Sequence, residues 1–269
     1  MASEPARVSW RSVRADNPGP LTLEGTNTYV LGDVGSDLVV VDPGPDLAEH
    51  RAAVLELVQG DHVSAVVLTH THPDHADNAA PLLAELGPGV PLLKAEDGSL
   101  RDGQPLAAAI TVLTTPGHSD DSTCLALGDP LAPHAVLTGD TILGRGTTVL
   151  ADTDGALTHY LGSLERLAAL GAASVLPGHG PVLDDLAAVS VHYLRHREER
   201  LEQVRAALAQ GAATPRAIVE IVYADVDQTL WEPAEKSVRA QLDHLGVAYE
   251  KAAPTAPDQR TSDPKPSGA

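Results

Sequence analysis

The sequence predicts an α/β fold in which strands and helices alternate and the strand ends carry the chemistry. Three observations predict it. Continuous apolar runs such as Leu38–Val41 and Ala65–Leu68 read as buried strands. Between them lies a segment with apolar residues at helical spacing, Leu47, Val54, Leu55 and Val58. Residues of metal-binding type then follow one strand after another, mostly beside glycine, which is where open α/β sheets build their sites.

Element by element, Val8–Val13 reads as an early strand, followed by a Pro/Gly loop and a strand over Thr28–Leu31. Gly35 turns the chain into a strand over Asp37–Val41, which a Pro-Gly-Pro break ends. A helix over Asp46–Val58 precedes the Ala65–Thr69 strand, and one further helix spans Asp74–Leu86. Pro91–Leu93, Ile110–Thr115, Thr123–Leu127 and His134–Thr138 are short strands between turn-rich spacers. Leu157–Leu170 is a helix closed by Gly171, and Ser174–Leu176 a strand. Beyond Pro181 the chain turns helical: Leu186–Gln210, Thr214–Tyr223 with a Thr-Pro start, and Trp231–Leu245 stopped by Gly246, with a short strand over Val247–Tyr249. These divide the chain into a catalytic domain (1–185), a winged-helix-like unit (186–251) and a Pro/Ser/Ala-rich disordered tail (252–269).

Composition narrows the partners. With 269 residues, 43% hydrophobic and no Phe, the core must be filled by Val, Leu and Ala. No apolar run approaches the ~20 residues of a membrane span, and the N-terminus lacks a signal-peptide segment. The single cysteine, Cys124, excludes an internal disulfide, suits a reducing cytoplasm and reads as a small core residue. Net charge is −19, concentrated in residues 1–185, where 25 acidic residues face 8 basic ones. The 186–253 segment is nearly balanced, 10 against 8, which argues against duplex DNA as a partner.

The stretch AVVLTHTHPDHADN holds the strongest signal. His70, His72, Asp74 and His75 fall within six positions behind a buried strand, a costly concentration of polar groups unless a metal binds them. His70 and His72 leave the same face of extended backbone, whereas Asp74 and His75 follow Pro73 at a helix start, aimed at a second point. That geometry suggests two metals. His118, Asp140 and His179 each follow a strand and stand beside Gly117, Gly139 and Gly178, residues that permit close approach.

With His70-Thr-His72-Pro-Asp74-His75 followed in order by His118, Asp140 and His179, the sequence resembles the metallo-β-lactamase superfamily over essentially all of residues 1–185. The resemblance implies a four-layer αββα sandwich with two zinc ions at one sheet edge. It assigns His70, His72 and His118 to one metal, Asp74, His75 and His179 to the other, and Asp140 to both, with Asp74 and Asp140 as the catalytic carboxylates. The donor set suits zinc, with iron or manganese as alternatives. A water bridging two such ions ionises near neutral pH, so the expected reaction is hydrolysis by hydroxide.

The stretches NPGPLTLEGTNTYVLG, VVVDPGP, GDTILGRGTT and LPGHGP are similar to the β-lactamase-like protein 2 branch, which extends the resemblance to about residue 250. That branch includes a single-strand-selective endoribonuclease, and relatives act on acyl-carrier thioesters. The resemblance therefore favours phosphodiester cleavage of single-stranded RNA, with thioester hydrolysis, including small-molecule thioesters, as the alternative. The acidic catalytic region opposes the first and not the second. Arg145 is either a phosphate or carboxylate contact or a turn arginine. Thr26 and Asn27 either border the cleft or shape a strand entry, and His159 and Tyr160 are candidate cleft contacts. Asp42 is expected to orient a metal-binding histidine. The C-terminal helices read as a lid, a substrate-side wall or a homodimer contact.

Overall fold

A computed structural model describes residues 7–107 and 109–249. The predicted disordered tail lies outside the described residues. Two mixed sheets face each other. The first runs β1 (Trp10–Arg14), β2 (Asn27–Leu31), β3 (Leu38–Val41), β4 (Val63–Val67) and β5 (Leu92–Leu93), antiparallel up to β3 and parallel beyond it. The second runs β6 (Ile110–Thr114), β7 (Thr123–Asp129), β8 (Ala132–Gly139) and β9 (Ser174–Pro177), with only β8 and β9 parallel.

The period-two alternation of each strand assigns its side chains to two different cores. Leu31, Val39, Val41 and Val67 meet Val112, Leu125, Leu137 and Leu176 between the sheets. Val30, Leu38, Val40 and Val66 face outward onto α1 (Ala48–Leu57) and α3 (Ala79–Leu86) through Val54 and Leu82. Cys124, Ala126, Val136 and Val175 face the opposite way, onto α4 (Ala156–Ala168) and α5 (Leu186–Ala209), through Leu157, Tyr160, Leu164 and Tyr193. Helix, sheet, sheet and helix thus form four layers. Runs apolar at every position, such as Val39-Val40-Val41, follow from strands covered on both faces.

Two expectations are corrected. The single helix over Asp74–Leu86 is two, α2 (Pro73–Ala76) and α3. Asn78 breaks it: its backbone N–H donates to Gly44 O and its side-chain amide to Pro43 O, at 3.0 Å each, instead of continuing the ladder. Val247–Tyr249 forms no strand. Val247 and Tyr249 pack instead onto a fourth core built from Val204 and Ala207 of α5, Ile218 and Val219 of α6 (Pro215–Val222), and Val238 and Leu242 of α7 (Trp231–His244). Helix α5 therefore serves two cores, with Leu186, Tyr193 and Leu201 against α4 and Val204 and Ala207 against α6 and α7. Thr214 caps α6 by accepting from Ala217 N at 3.2 Å, with proline at the first turn. No described helix is long and apolar enough to cross a membrane.

Candidate metal centre

Four loops at the C-terminal ends of β4, β6, β8 and β9 converge at one edge of the sandwich. They bring all seven expected ligands together. Donor atoms of His70, His72 and His118 form one group, those of Asp74, His75 and His179 a second, and those of His70, His75 and Asp140 join the two, each group lying within 4.8 Å. His72 Nδ1 faces His118 Nε2 at 3.0 Å, and His179 Nε2 lies 3.2 Å from His75 Nε2 and 3.1 Å from Asp74 Oδ2. Two ligands ~2.0–2.1 Å from a tetrahedral zinc stand a little over 3 Å apart, so these separations fit shared cations.

The outer hydrogen bonds leave the inner atoms open. His75 Nδ1 donates to Asp42 Oδ2 at 2.9 Å, and His118 Nδ1 donates to Val149 O at 2.9 Å with Thr148 Oγ1 also 2.9 Å away. His179 Nδ1 faces Gly25 O at 3.3 Å. Inside the cluster, His70 Nε2 and Asp140 Oδ1 are buried without a hydrogen-bond partner. Polar atoms abandoned in this way are costly, and a cation is the group that would satisfy both. Gly178 makes the closeness possible, because a Cβ there would lie 2.7 Å from both Asp140 Oδ1 and His75 Cε1.

Electrostatics within the cluster are strongly unequal. Burial works against charge on His75, yet the Asp140 and Asp42 carboxylates overcome it and raise its pKa well above the usual histidine value. His179 is raised to about 9 against burial by Asp140 and Asp74. Burial, reinforced by the neighbouring histidines, lowers His70 well below the ordinary value. Burial would raise Asp140, but His75 and His179 hold it well below the carboxylate range. So the site keeps its carboxylates ionised beside imidazoles, the composition that chelates a divalent ion.

Asp42 is buried and holds a left-handed backbone (φ 51°) at the end of β3. Thr69 secures it with a backbone N–H and a hydroxyl, both at 2.7 Å, so the Asp42 carboxylate reaches His75 in a fixed orientation.

A cavity of about 910 Å³ opens over the cluster. Its floor includes His72, Asp74, His118 and Asp140, and its walls are the 143–153 loop and the α5–α7 unit, with Leu21, Leu23, Leu143, Tyr223, Val226 and Leu230 supplying apolar surface. Arg145 lines it and pairs with Glu24.

Four candidate cleft contacts line no part of the cavity, and for Thr26 and Asn27 the structure matches the strand-entry alternative. Thr26 is buried and bridges the His179 backbone, and Asn27 donates to Pro177 O and Gly180 O at 3.0 and 2.9 Å, so both hold the His179 loop. Tyr160 lies under Gly117 with its hydroxyl donating to Thr141 O at 2.7 Å. His159 is exposed beside Gly155 and lines no part of the cavity.

Sequence reasoning missed Arg197, buried at 2% exposure against Tyr160 at 5.1 Å and donating to Thr148 O at 2.6 Å. The signal was its place between Tyr193 and Leu201 on an i, i+4 stripe, which makes it an inward-facing residue of a charged helix.

Comparison with known proteins agrees. The family model described as "Metallo-beta-lactamase superfamily" matches residues 21–110, and "Beta-lactamase associated winged helix domain" matches residues 214–246. The chain is 34% identical over 247 residues to the Caenorhabditis elegans "Beta-lactamase-like protein 2 homolog", covering 85% of this chain and 81% of that one. It is 32% identical over 259 residues to an "Atrochrysone carboxyl ACP thioesterase" of Aspergillus fumigatus, covering 86% and 79%. A metallo-beta-lactamase family protein from Thermus thermophilus superposes with a TM-score of 0.71 at 23% identity, over 89% of this chain and 93% of that one.

Proposed function

The chain belongs to the metallo-beta-lactamase superfamily, and from that membership we propose that it is a dinuclear metal hydrolase of thioesters. The observation that carries the substrate class is the cavity. A ligand cluster at its floor under walls of leucine, valine and tyrosine suits an acyl chain better than a polyanion. Similarity to an acyl-carrier thioesterase supports the same reading, and the net charge of −19 does not oppose it.

Seven residues would hold the metals: His70, His72 and His118 at one position, Asp74, His75 and His179 at the other, and Asp140 between them. Zinc fits this set of imidazoles and carboxylates, with iron and manganese as the alternatives. When bound, such a pair acidifies a water molecule and polarises the acyl oxygen. Asp140 holds its place between the two groups because Gly178 lets its carboxylate pack against His75. Asp74 presents a partly exposed carboxylate to the cavity and would take the proton of the attacking water. Hydrolysis joins the water oxygen to the acyl carbon and breaks the C–S bond, releasing a carboxylate and a thiol. A thiolate with a pKa of ~8.5 leaves readily near neutral pH, so a dedicated acid is not required.

Single-stranded RNA is the second reading, and one observation favours it: Arg145, Arg197, Arg200 and Lys236 all line the cavity. A thioester panel and a fluorescent RNA oligomer, assayed in parallel with metal-loaded protein and His72→Ala, separate the two. Thioester turnover lost in the variant supports the first reading, and RNA cleavage without thioester turnover replaces it with the second.

A further inference from the structure

Three cations that form no ion pair among the described residues share one wall of the cavity, in a chain with 37 acidic residues to 18 basic ones. Arg197 and Arg200 come from α5 and Lys236 from α7. Among the described residues, none has an acidic side chain within ion-pairing distance. Arg197 is the decisive one. It is 2% exposed, its one hydrogen bond runs to Thr148 O, and its buried Nε has no partner at all. A guanidinium taken out of water with no counter-charge is a costly arrangement that an oxyanion bound against its cavity-facing edge would relieve. Arg200 is held in place by Val222 O and Gln203 at 2.8 Å each and by the Tyr223 ring at 4.6 Å, contacts that fix the side chain without neutralising it. Next to them His196 is held down at about 4 by burial and by the charges of Arg197 and Arg200.

We propose that Arg197, Arg200 and Lys236 form an anion-binding subsite that receives an acidic oxygen group of the substrate, a carboxylate or a phosphate, remote from the scissile carbonyl. The proposal rests on the thioesterase reading for its substrate. The acidic group then comes from one of two sources: a carboxylate on the acyl chain, or the phosphate of a phosphopantetheine arm on the thiol side. Planar guanidinium groups suit either through paired N–H donors. Binding at this wall would fix the register of the thioester over the metal groups, the entropic part of catalysis.

The test uses the full, metal-loaded chain and substrate pairs differing by one charge. The first pair is a butyryl and a glutaryl thioester of N-acetylcysteamine. The second is a butyryl thioester of pantetheine and of 4′-phosphopantetheine. One pair should show kcat/KM about tenfold higher for the charged member, in line with charge-assisted hydrogen bonds. The responding pair identifies the source. Arg200→Gln with Lys236→Gln, both at the cavity surface, should collapse that ratio toward one, as should Arg197→Gln if it folds. Arg205→Gln, on the same helix but paired with Glu202, is the control that keeps the ratio. Equal rates within both pairs, or ratios untouched by the double variant, overturn the subsite. If no thioester is turned over at all, the thioesterase reading fails separately, and calorimetric titration with 4′-phosphopantetheine and glutarate decides the subsite. Binding of either, weakened tenfold or more in the double variant, sustains it, and no binding of either removes it.

Discussion

At the scale of single residues, Asp42 shows how a side chain that touches no substrate governs a site. Its strained left-handed backbone is over-determined by two bonds from Thr69, and the result is one carboxylate aimed at His75 Nδ1. Asp42→Asn keeps the shape but removes the charge, and should weaken metal affinity by ~10–100-fold, read by competition with a chromophoric chelator. An unchanged affinity would show that His75 needs no such partner. Cys124 makes the opposite case. Burial raises its thiol pKa to about 11, and its sulfur sits among Thr115 and Thr138 inside the second sheet. It should stay inert to thiol reagents at pH 8 in the native protein and react on unfolding. Rapid native labelling would mean that β7 opens on the timescale of the assay.

At the scale of elements, loops are tied to the sheets by a few bonds that each carry more than one duty. Asn78 stops one helix, starts another and donates to Pro43 O beside Asp42, while accepting from Arg51 at 2.9 Å. Asn78→Ala should cost about 1–3 kcal/mol of unfolding free energy, since Pro43 O is left unpaired in a buried place. Denaturant midpoints measure it. Asp102 ties β6 to α4 by accepting from Thr114 N at 2.9 Å and Arg166 at 2.6 Å. Burial would raise its pKa, but Arg166 and Thr114 prevail and lower it. Its contribution is therefore present above the ordinary carboxylate pKa and lost as pH falls through the lowered folded value. Asp102→Asn should flatten the acid limb of the stability profile, and an unaltered limb would show the tie to be inert.

These elements also show what the sequence discloses. The strands were legible because coverage on both faces makes every position apolar, as in Val39-Val40-Val41, and the ligand positions because histidine and aspartate crowd behind strand ends. The break at Asn78 was not, since it depends on Pro43 and Gly44, distant in sequence. Tyr160 was misplaced for a related reason. The helix start lies near the cleft, but Gly117 lets the helix backbone at Tyr160 pack tightly beneath it while the ring is fully buried, and only packing reveals it. Arg197 hid among many charges, although its apolar neighbours one turn away on either side marked it as buried.

At the scale of the whole molecule, the αββα sandwich supplies the ligands and the winged-helix unit supplies the far wall of the cavity, so neither part makes the site alone. Helix α5 binds them by joining both cores. Because the cluster gathers ionised carboxylates and imidazoles and leaves His70 Nε2 and Asp140 Oδ1 buried without a hydrogen bond, metal and fold are linked. Metal at a hundredfold excess over its dissociation constant should add about 2.7 kcal/mol of stability, visible as a melting temperature that falls on chelation. The most direct measurement is elemental analysis and thioester turnover on the same preparation, before chelation, after exhaustive chelation and after metal is restored. The account predicts two divalent ions per chain, with activity lost and regained in step with them. A protein that hydrolyses the thioester equally well after complete removal of metal would contradict it.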